Sequence, residues 1–312
     1  MPENEVYYVS TSNAIDTNPC TRTAPCATLQ HAASRTSAMA ENIVVLPGSY
    51  SDNHLTASSS MVSAPRVVVH ATGAQFSDMF GESSQFTGGD IELVVIGGYF
   101  STSNGVAIYC GSAPCTISRV KVQRGSGVYC GGMTRMFDSD IDVVSDGVTV
   151  AGGTCHIERS TVRGSRPINT SAAGTFEMIN SVVSGGTGTA VDLPGSVGTI
   201  RFSTISASGN TGAKPRGLNC SQGLTISESI VWTPSTTQLP ISGGCTVASS
   251  LAGPVAVGGA MNLDPQFKSL SDFHLSTSSP AKDFVQTGPA DDIDGDARPK
   301  GASWDIGADE AD

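Results

Sequence analysis

The chain has 312 residues, a net charge of −11 and 36 glycines, and only 14% of its residues are charged and 6% aromatic. This composition suits many short strands joined by tight turns better than helices. The acidic balance argues against nucleic acid and anionic membrane surfaces as partners, because both require basic patches. No apolar run approaches the roughly 18 residues that a membrane span needs.

The first predicted elements are a cap and two strands. Residues 27–40, beginning Ala-Thr-Leu-Gln-His-Ala-Ala, are the best helix candidate in the chain. The stretches 42–48 and 66–70 are rich in valine and predict the first strands. We expect the helix to cover the open N-terminal end of a repetitive fold, because exposed strand edges need a cap.

A repeated unit then dominates the chain: an apolar residue, polar residues that often include serine, and a second apolar residue. Its copies begin at Val95, Ile117, Met136, Ile157, Met178, Ile200, Ile226 and Val247. A second element, often Gly-Val, falls between successive copies, so each repeat holds about three short strands. Three strands in about 21 residues predict one coil of an all-β, right-handed parallel β-helix. The signature of a leucine-rich repeat is missing, and a propeller blade needs about twice the length.

The alternation of side chains along a strand predicts which residues enter the core of this solenoid. Val162 should point inward and Thr161 outward. A serine recurs beside the bend of several coils, and we interpret it as an inward ladder of hydrogen-bonding residues rather than a set of nucleophiles. No histidine follows these serines at a repeated offset. The serines of this predicted ladder are Ser160, Ser181, Ser203 and Ser229.

The repeat stops near residue 255. We therefore expect a single domain in which residues 1–255 form the β-helix, with an N-terminal cap over about residues 1–42, and residues 256–312 form a capping tail that folds back on the last coil. In the tail, Asp292, Asp294 and Asp296 are spaced like calcium ligands around Gly295. Calcium is thus the one candidate ion. Alternatively, Asp294, Arg298 and Asp305 pair with each other and with the backbone.

The eight cysteines predict disulfides and an oxidising compartment. Spacing and the separation of about 4.8 Å between coils favour four pairs. A Cys110–Cys130 bond is the rival, but it would leave Cys115 and Cys155 about two coils apart. The favoured pairs are Cys20–Cys26, Cys110–Cys115, Cys130–Cys155 and Cys220–Cys245.

Both ends of the chain resemble known families. The N-terminal motifs Tyr7-Tyr-Val-Ser10, Ala24-Pro-Cys-Ala-Thr-Leu-Gln-His31 and Val44-Val-Leu-Pro-Gly-Ser-Tyr50 resemble the opening of bacterial right-handed β-helix proteins, including family 9 polysaccharide lyases. The C-terminal motifs are similar to the choice-of-anchor Q family, whose members are secreted or bacterial surface proteins, usually without assigned chemistry. These C-terminal motifs are Asn262-Leu-Asp-Pro-Gln-Phe267, Asp272-Phe-His-Leu275, Asp294-Gly-Asp-Ala-Arg-Pro299 and Asp305-Ile-Gly-Ala-Asp-Glu310.

Two surfaces are candidates for carbohydrate. The Gly-Val strand should present one outward polar or aromatic residue per coil, and flat rings with hydrogen-bonding groups suit sugars. The alternative is an ordinary solvated face. The outward residues named by the repeat are Ala107, Tyr129, Thr149, Asn169, Asp192, Asn219 and Ser242, with Tyr109 beside Tyr129.

The second surface carries the catalytic candidates. Arg119 and Lys121 should face outward, with Asp140 and Asp142 one coil later. In family 9 lyases a lysine is the base and aspartates hold calcium, so the resemblance implies that Lys121 with Asp140 and Asp142 imitates that arrangement. A cross-coil surface ion pair explains the same residues. Lys214 is the only other lysine of the coils, and the arginine motif of pectate lyases and the motifs of polygalacturonases are missing.

Two functions follow. The first is a secreted or surface β-helix module that interacts with polysaccharide or a cell-surface glycan, with no assigned chemistry. The second is a polysaccharide lyase that acts on uronic-acid polymers by β-elimination. The first is favoured because no complete catalytic constellation is present in the sequence.

Overall fold

The computed structural model describes residues 5–51, 53–77, 84–185, 188–207, 216–269 and 271–311. The chain divides into two compact units, Met1–Val144 and Ser145–Asp312. Both units are right-handed parallel β-solenoid, together about nine turns of about 22 residues each. This confirms the fold class predicted from the repeat. No helix among these residues is long and apolar enough to cross a membrane.

In the first unit, each complete coil adds one strand to each of three parallel sheets, here named A, B and C. Sheet A consists of β1 (Val6–Val9), β2 (Asn42–Val45), β5 (Arg66–His70), β8 (Glu92–Ile96), β11 (Cys115–Ser118) and β14 (Met133–Phe137). Sheet B consists of β4 (Leu55–Ala57), β7 (Ser84–Gly88), β10 (Val106–Cys110) and β13 (Ser126–Cys130). Sheet C consists of β3 (Gly48–Ser51), β6 (Ala74–Ser77), β9 (Tyr99–Ser101), β12 (Lys121–Gln123) and β15 (Asp140–Asp142).

The second unit has the same three-sheet arrangement. Sheet A consists of β17 (Thr154–Glu158), β20 (Thr175–Ile179), β23 (Val197–Arg201), β26 (Leu224–Ser227) and β29 (Thr246–Ala248). Sheet B consists of β16 (Asp146–Ala151), β19 (Arg166–Ala172), β22 (Thr189–Leu193), β25 (Arg216–Cys220) and β28 (Ile241–Gly243). Sheet C consists of β18 (Thr161–Gly164), β21 (Val182–Gly185), β24 (Thr204–Ala207), β27 (Ile230–Trp232), β30 (Ser250–Gly253) and β31 (Ala260–Met261).

The apolar residues that begin the sequence repeat stack on one another in sheet A. In the first unit Ile117 pairs in register with Val95 on one side and with Met136 on the other. In the second unit the same stack runs through Ile157, Met178, Ile200, Ile226 and Val247. The period read from the sequence is therefore the coil period of the structure.

A serine ladder runs inside the second unit, as predicted. The Ser203 hydroxyl accepts a hydrogen bond from the Ser181 backbone N–H at 3.3 Å and donates to the Arg201 carbonyl at 2.8 Å. The pattern repeats from coil to coil, and it extends to Ser250. Because these serines are almost fully buried, each hydroxyl needs internal partners, and the register supplies them.

The N-terminal helix is shorter than predicted. α1 spans only Leu29–Ser34, and Thr28 caps its N-terminus by accepting a hydrogen bond from the His31 N–H. The Thr28 hydroxyl also donates to Asp16 at 2.7 Å. The prediction of helix to residue 40 is wrong because the backbone N–H of Arg35 already bonds back to the last turn, and the segment after it forms a Ser37–Ala40 bridge.

The tail of the second unit packs along the outer face of sheet C, covering more than the last coil. The Gly307 N–H donates to the Glu228 carbonyl at 2.9 Å, and the Ala308 N–H donates to the Thr204 hydroxyl at 3.2 Å. The buried apolar cluster between tail and coils consists of Ile230, Leu251, Leu275, Ala281, Ile306 and Ala311.

Val162 is fully buried, as predicted. Thr161 points outward but lines a cleft beneath the tail.

Three of the favoured disulfides are present, with Cα–Cα distances of 4.6 to 5.7 Å: Cys20–Cys26, Cys110–Cys115 and Cys220–Cys245. The remaining two cysteines, Cys130 and Cys155, are each disulfide-bonded as well. The rival Cys110–Cys130 bond is wrong, because Cys110 is bonded to Cys115.

Candidate functional site

A cleft of about 350 Å³ in the first unit contains two of the catalytic candidates. It is lined by Gln75, Tyr99, Arg119 and Lys121, together with turn residues that include Gly97 and Gly98. Both glycines have positive φ, at +73° and +104°, and a Cβ on Gly97 would lie 2.9 Å from the Thr72 hydroxyl. The tight glycine turn therefore leaves no side chains at this point of the coil, which opens the cleft.

The coil register brings the cleft residues together. Gln75, Tyr99 and Lys121 begin or nearly begin successive strands of sheet C and are register partners of one another in that order. Arg119 occupies the corner between β11 and β12, with φ +56° and its N–H donated to the Phe137 carbonyl at 3.1 Å. A single cross-coil row therefore presents an amide, an aromatic ring and a cation, with a second cation at the adjoining corner.

Neither cation is neutralised within the described part of the chain. Asp140 is the register partner of Lys121 on the next coil, and Asp142 is the partner of Gln123. However, no nitrogen of Lys121 or Arg119 lies within 4.0 Å of a carboxylate oxygen of a described residue. The alternative of a Lys121–Asp140 surface ion pair is thus wrong for this structure.

Two neighbouring contacts complete the electrostatics of this cleft. Burial and the nearby positive charge of Arg119 lower the pKa of His70, which favours a neutral imidazole there. The Tyr99 hydroxyl donates to the Gln123 side chain at 2.6 Å, which fixes the ring position. The arrangement can hold a carboxylate against two cations beside an aromatic ring. Lys214 lies outside the described residues.

The predicted stripe of sheet B is only partly as expected. In the first unit Tyr109, not Ala107, is the register partner of Tyr129, and Ala107 is fully buried. Placing Ala107 on the stripe is wrong because Tyr109 lies four residues after Gly105, whereas Tyr129 lies only two residues after Gly127. The two tyrosine rings stack on each other at 4.5 Å with an interplanar angle of 10°. Each ring therefore gives one face to its neighbour.

In the second unit the stripe residues lie in one row, and three of them are hydrogen-bonded to one another. Thr149, Asn169, Asp192, Asn219 and Ser242 are successive register partners. Asn219 donates to Asp192 at 2.7 Å, and the Ser242 hydroxyl donates to the Asn219 side-chain oxygen at 3.3 Å. These three residues have fewer groups left for a sugar, whereas the side-chain nitrogen of Asn169 is buried and has no hydrogen-bond partner among the described residues.

The three tail aspartates do not converge on one point. The Asp292 carboxylate accepts backbone N–H groups of Asp294 at 2.9 Å, Asp296 at 2.8 Å and Glu310 at 3.2 Å. Asp294 instead bonds His274, and Asp296 bonds Lys300 at 2.8 Å. Asp292 therefore closes its own turn, and the predicted set of calcium ligands is divided among different partners.

The alternative prediction, in which Asp294, Arg298 and Asp305 pair with one another, also differs from the contacts in the structure. The Arg298 guanidinium lies 3.4 Å from Glu310 and donates to the Gly307 carbonyl at 3.0 Å. Asp305 accepts the backbone N–H groups of Asp283 and Ala311. Burial raises the pKa of Asp305 and of Glu310, and burial lowers the pKa of Arg298.

A histidine that the sequence pattern did not single out is the centre of another cluster. His274 bonds Asp272 through Nδ1 and Asp294 through Nε2, the latter at 2.9 Å. The hydrogen bond with Asp272, together with that to Asp294, raises the pKa of His274. The Asp272-Phe-His-Leu275 motif was the available signal, but Asp294 is 20 residues away in the chain and only the folded tail joins the two. Tyr99 and Gln75 were missed similarly, although they precede Lys121 at the coil period.

The comparisons with known proteins identify the fold. No family model matches the sequence, and no curated protein matches it. The crystal structure of pectate lyase Pel9A is similar to this chain with a TM-score of 0.58 and 16% sequence identity, covering 98% of this chain and 96% of that chain. At this identity the likeness establishes the parallel β-helix and assigns no activity.

Proposed function

We propose that the protein is an exported β-helix module that binds a uronic-acid polysaccharide at the cleft formed by Gln75, Tyr99, Arg119 and Lys121. One observation carries the proposal: two cations without a carboxylate partner among the described residues lie beside an aromatic ring in a chain of net charge −11. A strongly acidic protein repels a polyanion at long range, so a local cationic site is what such a ligand requires.

The chemistry of the cleft matches a uronate better than a neutral sugar. Arginine binds carboxylates through parallel hydrogen bonds, and lysine adds a point charge. Tyrosine and glutamine offer a ring and an amide to the remaining sugar surface. Disulfide use supports a location outside the cytoplasm, on the cell surface or secreted. The β-helix likeness to a protein named as a pectate lyase supports polysaccharide as the ligand class.

Binding to polygalacturonate and to neutral dextran, measured by affinity electrophoresis, tests this proposal. We expect polygalacturonate to retard the parent protein and dextran not to, with retardation falling as salt is added. An Arg119→Ala, Lys121→Ala variant should bind at least about tenfold more weakly, a loss of about 1.4 kcal/mol. Arg135→Ala is the matched control, because Arg135 is exposed on β14 of the same unit and does not line the cleft.

The same experiment examines the second surface. Tyr129→Ala removes one ring of the stacked pair on sheet B. If Tyr129→Ala abolishes retardation and the double variant does not, the ligand binds at the Tyr109–Tyr129 stripe and the cleft proposal is wrong. Equal retardation by dextran would also contradict it, because two cations give no preference for a neutral polymer.

A lyase is the second candidate, favoured by the unpaired position of Lys121 next to Arg119. In β-elimination, the Lys121 amine would remove the proton beside the uronate carboxylate while Arg119 balances the developing charge. The carbon–oxygen bond to the next sugar then breaks as a carbon–carbon double bond forms, and the departing oxygen takes a proton from the Lys121 ammonium or from water. Absorbance near the ultraviolet edge during incubation with polygalacturonate reports that double bond. A binding module produces no increase, whereas a lyase does, and Lys121→Ala would abolish it.

A further inference from the structure

We propose that His274, Asp294 and Asp309, in the tail of the second unit, bind a divalent transition-metal ion of the Zn²⁺ class. One ligand atom from each of the three residues lies within 4.8 Å of those from the other two. An imidazole nitrogen and two carboxylate oxygens are the donors that zinc accepts, at about 2.0–2.2 Å once the ligands contract around the ion. This site is separate from the glycan cleft, and nothing in the proposed function requires it.

The surroundings of His274 are those of a metal ligand. Its Nδ1 is hydrogen-bonded to Asp272, which also accepts the His274 backbone N–H at 3.1 Å. Metal-binding histidines commonly donate the ring N–H opposite the metal to a carboxylate, which fixes the ring and its tautomer. Asp272 therefore leaves Nε2 directed towards Asp294 at 2.9 Å, on the side where the ion would lie.

Asp309 contributes a carboxylate that the backbone holds in place. Asp309 is 94% buried, and its Oδ2 accepts a hydrogen bond from the backbone N–H of Leu275 at 2.6 Å. Within the described residues, Oδ1 has no hydrogen-bond partner. One oxygen of Asp309 is thus held in place by the backbone, and because Asp309 lines both clefts beside His274, its other oxygen is available to an ion.

The site is open to solvent on two sides. His274, Asp294 and Asp309 line both a cleft of about 290 Å³, shared with Arg163 and Phe273, and a cleft of about 480 Å³, shared with Lys268 and Lys300. An ion can enter from either side, and water can fill the coordination positions that the protein does not supply. Three protein ligands with an accessible fourth position are the arrangement of an open zinc site.

Two other cation sites suggested by the chain are less suited. Calcium prefers six to eight oxygen ligands and does not favour imidazole, and the carboxylates of residues 292, 294 and 296 are divided among separate partners. Cys20, Cys26 and His31 also lie close together, but their cysteines form a disulfide and offer no thiolate. His274 is thus the residue that distinguishes a transition metal from calcium.

Calorimetric titration of the full chain with Zn²⁺, after chelator treatment and dialysis, tests the site. We expect one Zn²⁺ per chain, Ca²⁺ binding at least about 100-fold weaker, and visible d–d absorption bands when Co²⁺ replaces Zn²⁺. Asp294→Asn and His274→Gln should each lower the affinity at least about 100-fold and remove the Co²⁺ bands. Asp272→Asn should lower it about 10- to 100-fold, as loss of an outer-shell partner does.

Asp296→Asn is the matched control, because this exposed carboxylate lies in the same turn but bonds Lys300. It should bind Zn²⁺ like the parent. His156→Gln tests the competing surface group in which His156 bonds Glu158 and Glu177. Since Asp294 is half exposed, its asparagine variant should keep the parent's melting curve, which separates a lost ligand from a lost fold.

Three results would overturn the proposal. Unchanged Zn²⁺ affinity in a folded Asp294→Asn variant would show that the ion does not bind there. Loss of binding in His156→Gln would move it to the coil surface. Calcium binding as tight as zinc binding, and lost in Asp296→Asn, would restore the loop around Gly295 as the site. None of these depends on whether the chain binds polygalacturonate.

Discussion

The coils and the tail of the second unit bury polar groups in opposite ways. Inside the coils, the buried polar groups of the ladder are neutral serines, and each hydroxyl has a donor and an acceptor set by the register. Beneath the tail, the buried groups are charged: Arg298 and Glu310 have almost no exposed side-chain surface, and Asp305 is 99% buried. The repeating backbone supplies hydrogen-bond partners for the serines at every coil. The tail does not repeat, so its buried polar groups depend on partners from its own side chains and backbone.

The difference predicts different sensitivities. The coil core consists of apolar and neutral polar side chains, so a charge placed there has no oppositely charged partner. The tail core already contains charges, so its weak point is the removal of one of them. A charge inserted into the coil core should therefore cause the largest loss of stability.

Ile226→Asp should cost several kcal/mol of unfolding free energy, about 4 or more, because an unpaired carboxylate would enter the apolar stack of sheet A. Ile226 is fully buried. Thr225→Asp, one residue earlier in β26, points outward from an exposed position and should cost less than about 0.5 kcal/mol. Chemical denaturation of both variants measures the difference. Coincident midpoints would mean that the inward and outward faces are misassigned.

Arg298→Ala should cost about 3–5 kcal/mol, because it leaves Glu310 buried without its cation. Arg201→Ala offers a matched comparison. Both guanidinium groups lie over the Phe202 ring, at 5.7 and 5.5 Å from its centre, but the Arg201 side chain is 46% exposed and pairs with Glu228 at the surface. The Arg201 variant should lose only about 0–1 kcal/mol. If the two arginines prove equally costly, the ring contact and not the buried charge holds the tail.

Ser203→Ala should cost about 1–3 kcal/mol, because the Ser181 backbone N–H loses its acceptor in a place that water does not reach. Ser227→Ala is the control, since the Ser227 contact to the ladder is made by its backbone carbonyl, which alanine retains. Thermal unfolding of the two variants measures how much one serine of the ladder stabilises the fold. A neutral Ser203→Ala result would indicate that the ladder follows from the coil geometry and adds little to it.

The coils were predictable because every coil repeats the same local pattern. Spacing alone indicates the register of Ile157, Met178 and Ile200, and the serines follow at a fixed offset. The tail contacts were not predictable in this way. His274 meets Asp309 only because residues 271–311 fold over sheet C, and no period in the sequence encodes that path.

The cleft of the first unit was only partly predictable from the sequence. Lys121 and Arg119 were predicted as outward residues, and they are. Tyr99 is one coil earlier at the same position, but the sequence pattern alone offered no reason to single out that coil. The reason is the glycine turn at Gly97 and Gly98, whose positive φ angles and missing side chains open the surface there. Backbone conformation of this kind is visible only in the folded chain.

The smallest predicted effect is a dependence of the tail on pH. Burial raises the pKa of Asp305 above the ordinary value of 3.8, and this outweighs the hydrogen bonds from the Asp283 and Ala311 backbone and the charge of Arg298, which lower it. Because the folded tail binds this proton more tightly than the unfolded chain, the associated stability is fully present below the unfolded pKa. It is lost as the pH rises through the folded pKa. Glu310 acts with the same sign.

Hydrogen exchange can measure this pH dependence at the backbone amide of Ala311. The Ala311 N–H donates to Asp305 at 2.8 Å, whereas the Ser203 N–H donates to the Ser229 hydroxyl, which does not titrate. In the presence of chelator, the protection factor of Ala311 should be higher at pH 5 than at pH 7, and that of Ser203 should hardly change. Asp305→Asn removes the titration and keeps one of the two oxygens that accept backbone N–H groups, so it should flatten the pH profile of Ala311 protection. Greater Ala311 protection at pH 7 than at pH 5 would mean that pairing with Arg298, and not burial, governs Asp305.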